Sequence, residues 1–321
     1  MVDVSIIIVA LNAVELLEEC LASVFEQSSG VTFEVIYVDN ASTDGNSDIV
    51  KTRHPSVRII QNERNLGFAR ANNQAIRVAK GRYVLLLNSD TLILDNSVMR
   101  IVRFADQHPE AAVVGGRVLN PNRTLQRNCL TFHSLTQIFL GATCLHKVFP
   151  RFASERMSWW DYNEVRAVDV IVGCFSLVRR EAFAQVGLMD EDYFFYCDDR
   201  DWCYRFRKAG WKVLFTPEPR IIHYGGQTSQ KAADRFVLQL YGSRLQFMQK
   251  YSSPIIFHLS RFLTALHFFI RAPFWVMKGL VDSGDRARCL QTARTFVRGG
   301  MYSLFNWTRL LMNRDEVFGE H

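Results

Sequence analysis

The seven cysteines of this 321-residue chain form no Cys-x-x-Cys pair. That absence excludes a thioredoxin-type redox motif and a zinc-ribbon spacing. The mixed stretch around Cys129, His133, Cys144 and His146 has irregular spacing and is not expected to hold zinc. Cys20, Cys174 and Cys203 stand in apolar or helical contexts and are expected as buried thiols. Such usage fits a reducing cytoplasm. The chain also lacks low-complexity runs and repeats at solenoid spacing. No uncharged apolar run approaches the roughly 20 residues that a membrane span needs. The opening runs straight into a strand pattern interrupted by Asp3, so no secretory signal is expected. A net charge of +6 comes with no RNA or DNA module, and no nucleic-acid partner is expected.

What is present is ordinary in bulk and specific in detail. Apolar residues make up 48% of the chain and charged ones 22%, enough for one large core plus an appendage. Three apolar runs end abruptly in polar residues: Val4 to Asn12, Phe33 to Asn40 and Tyr83 to Thr91. Each reads as a strand buried on both faces. Glu15 to Phe25 carries Leu16, Leu17, Cys20, Leu21 and Val24 at helical spacing; Asn46 to Arg53 and Asn73 to Lys80 are further helix candidates. Strands alternating with helices predict a parallel sheet whose ligands lie along the carboxyl ends of the strands. The third run ends in Asn88-Ser89-Asp90, a tip able to set a carboxylate against a cation and a phosphate. An Asp at a strand end is also a plain turn former or helix cap.

Later segments add to this pattern. Val170 to Arg180 reads as one strand with Gly173 in its path, followed by a short helix from Glu181 that ends at Val186-Gly187. Cys197-Asp198-Asp199-Arg200-Asp201 then sets three carboxylates at a helix start, and Ile221-Ile222-His223-Tyr224-Gly225-Gly226 closes the region.

Taken together, Asp39-Asn40-Ala41-Ser42-Thr43-Asp44-Gly45, Asn65-Leu66-Gly67-Phe68 with Asn73, Leu87-Asn88-Ser89-Asp90-Thr91, the Asp198-Asp199 pair and His223-Tyr224-Gly225-Gly226 resemble the family 2 glycosyltransferases. Within them, the resemblance is to the bacterial rhamnosyltransferases, and it covers roughly residues 3 to 230. It implies the α/β GT-A fold: a mostly parallel central sheet flanked by helices. It also implies an inverting transfer with Asp199 as the base and Asp198 beside it, where the family more often has Glu-Asp. The implied cofactor is Mg²⁺ or Mn²⁺, on Asp90 and His223. Asn88 stands where many such enzymes have the first Asp of Asp-x-Asp, which removes one negative charge from the metal site. The implied donor contacts are Ala10, Leu11 and Asn12 around the nucleoside, Asp39 on the base, Asn65, Gly67, Arg70 and Asn73 in the loop, and Asn88, Ser89 and Asp90 at the tip. Gly173, Trp159 and Trp160 are the candidates for the acceptor side. The implied donor is dTDP-rhamnose and the acceptor a saccharide, lipid-linked in one version. Galactofuranosyl or N-acetylglucosaminyl transfer, or a noncatalytic sugar-nucleotide-binding role, are the alternatives.

Several of these residues also have structural readings. Asp44-Gly45 suits a turn, Gly67 suits a special backbone angle, and Asp198 and Asp201 suit a helix N-terminus. Trp159, Trp160 and Tyr162 read equally well as core aromatics. The chain is expected to divide into residues 1–231, carrying the chemistry, and 232–321. From Ala232 onward twelve Lys/Arg face six Asp/Glu, so the whole +6 lies in this tail. Its Phe262, Leu266, Phe269, Phe274, Trp275, Phe305 and Trp307 predict basic amphipathic helices on the inner membrane surface, with an ordinary helical subdomain or a homo-oligomer contact as alternatives. The expected place is the cytoplasm, peripheral at the cytoplasmic membrane face.

Overall fold

A computed structural model describes residues 2–225, 233–281 and 284–311; Gly226 of the His-x-Gly-Gly segment lies outside them. The described residues form two compact units. The first comprises 2–132, 160–194 and 198–225; the second comprises 133–159, 195–197 and the helices from Ala233 onward. Close packing thus groups 133–159 with the C-terminal helices, although they are far apart in sequence.

The first unit is built on one sheet. Its leading strands are β1 (Val4–Ala10), β2 (Phe33–Asp39), β3 (Arg58–Gln61) and β4 (Tyr83–Asn88), all parallel, in the order β3-β2-β1-β4. The three apolar runs are therefore strands, and β1 and β4 are almost wholly buried, as expected of strands covered on both faces. Helix α1 (Val14–Glu26) buries Leu17, Cys20, Leu21 and Val24. Helix α2 covers Asn46–Arg53. Helix α3 covers Phe68–Val78, five residues earlier than its apolar pattern suggested, because the backbone turns at Gly67 and enters the helix at once.

Beyond β4 the sheet becomes mixed. β5 (Thr91–Leu94) and α4 (Ser97–Gln107) precede β6 (Ala111–Leu119), and a hairpin returns as β7 (Leu125–Gln126). The single strand expected over Val170 to Arg180 is two. Beyond β8 (Cys129–Leu130) and β9 (Arg166–Ala167), β10 (Val170–Ile171) pairs with β8, whereas β11 (Phe175–Arg179) inserts antiparallel between β4 and β6. Gly173 lies in the break, so its N–H is free of any ladder. β12 (Lys212–His223) pairs with β6 and β5, and its register slips between Phe215 and Arg220, where Pro217 and Pro219 interrupt the ladder.

The second unit is helical in its described C-terminal part, with helices Ala233–Tyr251, Pro254–Val281 and Arg286–Phe305. A shorter helix, Leu135–Ala142, starts with a full capping box from Ser134 and Gln137. The helix Pro254–Val281 is, by length and composition alone, long and apolar enough to cross a membrane, with a third of its most apolar window buried.

Candidate active site

Four strand ends and two loops of the first unit set out the candidate residues. β4 ends at Asn88, and the turn to β5 is closed by Thr91 Oγ1, which donates to the Asn88 carbonyl at 2.7 Å. In β12, His223 lies opposite Thr91 in antiparallel register, which brings it beside Asp90 across more than a hundred residues of chain. His223 Nε2 is 3.1 Å from Asp90 Oδ1 and 3.2 Å from Asn88 Nδ2. Asp90 Oδ2 accepts from Gly225 N at 3.0 Å. Asp90 and His223, the two expected metal ligands, thus meet, both largely buried.

An oxygen and an imidazole nitrogen converging in this way suit a small divalent cation. Among the described residues no third His, Cys, Asp or Glu joins them. Two protein ligands are compatible with Mg²⁺ or Mn²⁺, which commonly complete their shells with water and phosphate oxygens.

The second carboxylate group sits at the start of the helix Asp198–Lys208. Asp199 Oδ1 accepts from Arg200 N at 2.7 Å, and Asp199 Oδ2 lies 3.4 Å from the Gly173 N–H freed by the strand break. The next residue, Cys174, accepts from Asn88 N at 3.2 Å. A short backbone path, Asp199 to Gly173 to Cys174 to Asn88, therefore ties the acidic pair to the metal-type tip.

Burial pushes the carboxyls of both Asp198 and Asp199 above the ordinary carboxylate range. Asp198 is fully enclosed and is raised further by the Asp199 charge. For Asp199 the Arg200 guanidinium and the N–H groups of Arg200 and Gly173 act the other way. Of the two, Asp198 is raised the further, and its ionised form is the more disfavoured. Asp201 does something else: it is wholly buried and paired with Arg205 at 2.7 Å, while Arg205 also donates to the carbonyls of Val186 and Leu188.

The loop residues turn out to be a clamp. Asn73 is buried; its amide donates to Met189 O at 2.9 Å and accepts from Met189 N at 3.1 Å. Arg70 is 3.4 Å from Glu191. Asn65 Oδ1 accepts from Asn40 at 2.7 Å and from Gly67 N at 2.9 Å. Phe68 N donates to Phe194 O at 3.0 Å. The bonds from Asn73 and Phe68 tie this loop to the segment Met189 to Phe194, which precedes the helix Asp198–Lys208.

At the other tips, Asp39 is buried with Oδ1 accepting from Ser42 N at 2.8 Å and Oδ2 accepting from Ser47. Both of its oxygens are thus engaged by its own turn. Ala10 is buried beside Asp39, Leu11 is half-buried and Asn12 exposed. Asn12 Oδ1 accepts from Thr43 N at 2.8 Å, and Asp44 caps α1 by accepting from Val14 N at 3.0 Å. Ser89 lies half-buried between Asn88 and Asp90.

Trp160 is corrected from acceptor candidate to core residue. It is 5% exposed, stacks on Tyr162 at 4.2 Å and meets Phe215 edge-on, leaving no face for a sugar. Trp159 belongs to the second unit, half-exposed, with Arg151 over its ring. Cys20, Cys174 and Cys203 are buried free thiols, as expected, and burial pushes those of Cys20 and Cys203 up to about 12. Sequence reasoning missed Gln126, which faces His223, and Glu191, which receives Arg70 and Arg77. Neither stands in a local pattern that marks it.

Comparison with known proteins bears on this geometry. A model of the family "Glycosyl transferase family 2" matches residues 5–187. An N-acetylglucosaminyl-diphospho-decaprenol L-rhamnosyltransferase of Mycobacterium tuberculosis is 29% identical over 207 residues, 59% of this chain and 66% of that protein. The match thus spans just under two thirds of that relative. Rhamnosyltransferase WbbL of Escherichia coli is 25% identical over 165 residues, 49% of this chain and 61% of that one. Among solved structures, mannosyltransferase PcManGT from Pyrobaculum calidifontis, in complex with GDP-Man and Mn²⁺, aligns with a TM-score of 0.56. It is 17% identical, covering 94% of this chain and 87% of that one, and it bears out the GT-A fold.

Proposed function

We propose that this chain, which belongs to glycosyl transferase family 2, is an inverting glycosyltransferase that moves one sugar from a nucleoside-diphosphate donor to a saccharide hydroxyl. One observation carries the reading: the strand break at Gly173 joins Asp199 to the tip that holds Asp90 and His223. A proton acceptor and a cation-type site are what a single displacement at an anomeric carbon requires on its two sides.

In that displacement the acceptor oxygen attacks the anomeric carbon while Asp199 takes its proton. The bond from that carbon to the diphosphate oxygen breaks, and the nucleoside diphosphate leaves from the opposite face, so the configuration inverts. Burial disfavours a charge on Asp198, which limits the negative charge beside Asp199. Asp90 and His223 would hold Mg²⁺ or Mn²⁺, which when bound neutralises charge on the leaving diphosphate. Asn73, Asn65 and Gly67 hold the base in place through Met189 and Phe194.

The donor we propose is dTDP-rhamnose, supported by the similarity to two rhamnosyltransferases. The acceptor is a saccharide, lipid-linked as the name of the M. tuberculosis relative describes for that protein, in the synthesis of a cell-surface polysaccharide. Calorimetry across dTDP-rhamnose, UDP-galactofuranose, UDP-N-acetylglucosamine and GDP-mannose, with Mn²⁺ or with chelator, tests this. One donor is expected to bind in a metal-dependent way, and Asp90→Ala is expected to abolish the metal-dependent part. Binding of a UDP-sugar alone would reassign the donor. Asn88 in place of the family's Asp favours a second reading, a noncatalytic sugar-nucleotide-binding role; it requires binding without turnover on any saccharide.

We further propose that the second unit rests on the cytoplasmic face of a membrane. On the helix Pro254–Val281, Ile255, Leu259, Phe262, Ile270, Phe274 and Met277 are exposed at steps of three, four and eight, which makes one stripe. Arg261 and Arg271 of this helix donate to the carbonyls of Ser303 and Gly141. Lys278, Arg286, Arg288, Arg294 and Arg298 remain exposed to meet lipid phosphates. Phe262→Asp with Phe274→Asp is expected to weaken binding to phosphatidylglycerol vesicles by about tenfold or more, with donor affinity unchanged. Unchanged vesicle binding with a lower molar mass by light scattering would make the stripe a contact between copies of the chain.

A further inference from the structure

Gln126 closes the hairpin of β6 and β7, in register with Val118. Its amide nitrogen donates to Asn120 Oδ1 at 3.0 Å and to the His223 carbonyl at 3.1 Å. A backbone carbonyl only accepts, so the nitrogen and oxygen of this amide cannot be exchanged. Asn120 is itself oriented, since its own amide nitrogen donates to the Leu125 carbonyl at 3.4 Å as well as to Thr124 Oγ1 at 2.9 Å. Gln126 Oε1 is left facing His223 Nδ1 at 2.5 Å.

An amide oxygen also only accepts, and Nδ1 must therefore carry the proton. In the neutral ring the unshared pair then lies on Nε2. Nε2 is the atom 3.2 Å from Asn88 Nδ2 and 3.1 Å from Asp90 Oδ1. Asn88 offers it a donor, whereas Asp90 offers only negative charge. A nitrogen pair opposed to a carboxylate at that distance is a favourable arrangement when a cation lies between them.

We infer that Gln126 is a positioning residue: it fixes the Nδ1–H tautomer of His223 and so aims Nε2 at a divalent cation shared with Asp90. The cation rests on the metal reading of the proposed function; the tautomer does not. The turn Asn120–Thr124 extends this control one shell outward, because it orients the amide that orients the imidazole.

Two measurements on the full chain test the inference. In metal-free, ¹⁵N-labelled protein at alkaline pH, long-range ¹H–¹⁵N correlation is expected to show His223 with Nδ1 protonated and Nε2 bare, the signal being assigned by its loss in His223→Gln. Gln126→Leu removes the acceptor, and the proton is expected to move to Nε2, where Asp90 accepts it. Gln126→Glu keeps an acceptor but cannot donate to Asn120 or to the His223 carbonyl, and the wild-type tautomer is expected to persist. Binding of Mn²⁺ alone, followed by loss of the free-ion EPR signal, is expected to weaken about ten- to hundredfold in Gln126→Leu and to stay within about threefold of wild type in Gln126→Glu. Nε2–H in the wild type would overturn the inference. Equal loss of Mn²⁺ in the two variants would also overturn it, since the effect would then trace to the donor bonds that hold the hairpin. The expected tautomer with no Mn²⁺ binding in the wild type would uphold the Gln126 assignment and reject the metal reading of Asp90 and His223.

Discussion

Asp199→Asn is expected to reduce transfer by about a thousandfold or more while leaving donor affinity near wild type, because general-base catalysis supplies about 10²–10⁴ and Asn cannot accept the proton. Asn preserves the shape, and its one oxygen can still accept from Arg200 N at the 2.7 Å position; only the long 3.4 Å contact with Gly173 N is given up, so folding should be spared. Asp198→Asn is the matched control. Burial and the neighbouring charge favour the protonated form of Asp198, and Asn imitates that form, so transfer should stay within about tenfold of wild type. The pH profile carries the sign. Transfer needs Asp199 ionised, and its pKa is raised by burial. Activity should therefore rise with pH along a limb that lies above the ordinary carboxylate pKa of about 4. Equal collapse in the two variants would mean that the pair acts as a unit, and full turnover by Asp199→Asn would remove it as the base.

The placement of the acidic pair and of the Asn88–Asp90 tip was legible in sequence because each sits at one end of a strongly patterned element. Tyr83 to Leu87 can only be a buried strand, so Asn88 to Asp90 must lie at its tip. The break at Gly173 was not legible. Val170 to Val178 is apolar but for Gly173 and Ser176, and that pattern alone does not say that β10 pairs with β8 while β11 enters the main sheet. Gln126 was invisible for a related reason. Its contact with His223 depends on hairpin register and on the pairing of β12 with β6 and β5, which no local pattern encodes. Asp39 carries two readings at once: its oxygens accept from Ser42 and Ser47 and shape the turn after β2, and each keeps a lone pair for a further donor. Trp160 was ambiguous because an aromatic in a loop-like stretch has no periodicity to assign it to a core.

Gly67→Ala is expected to destabilise the fold by about 3 kcal/mol and to lower turnover in the fraction that remains folded. Gly67 has φ of 79°, where an L side chain is strained by about 1–2 kcal/mol. A Cβ there would also fall 2.4 Å from the Phe194 carbonyl oxygen and 2.9 Å from the Phe194 ring. The ring can rotate; the carbonyl cannot retreat freely, because it accepts from Phe68 N at 3.0 Å. Relief of the clash must therefore move either the start of α3 or the backbone at Phe194, four residues before Asp198. Chemical denaturation would read the first effect and kcat at saturating donor the second. Asn73→Ala offers a comparison, since it loosens the same segment at Met189 without strain at a turn. Its buried amide leaves the Met189 N–H and C=O unpaired, a loss of about 1–3 kcal/mol. If Gly67 instead served to let a ligand approach the backbone, Gly67→Ala would raise KM for the donor with stability and kcat preserved. A fall in stability with kcat reduced and KM unchanged is the outcome that the contact with Phe194 requires, and it would place this motif in the support of the base rather than in the donor pocket.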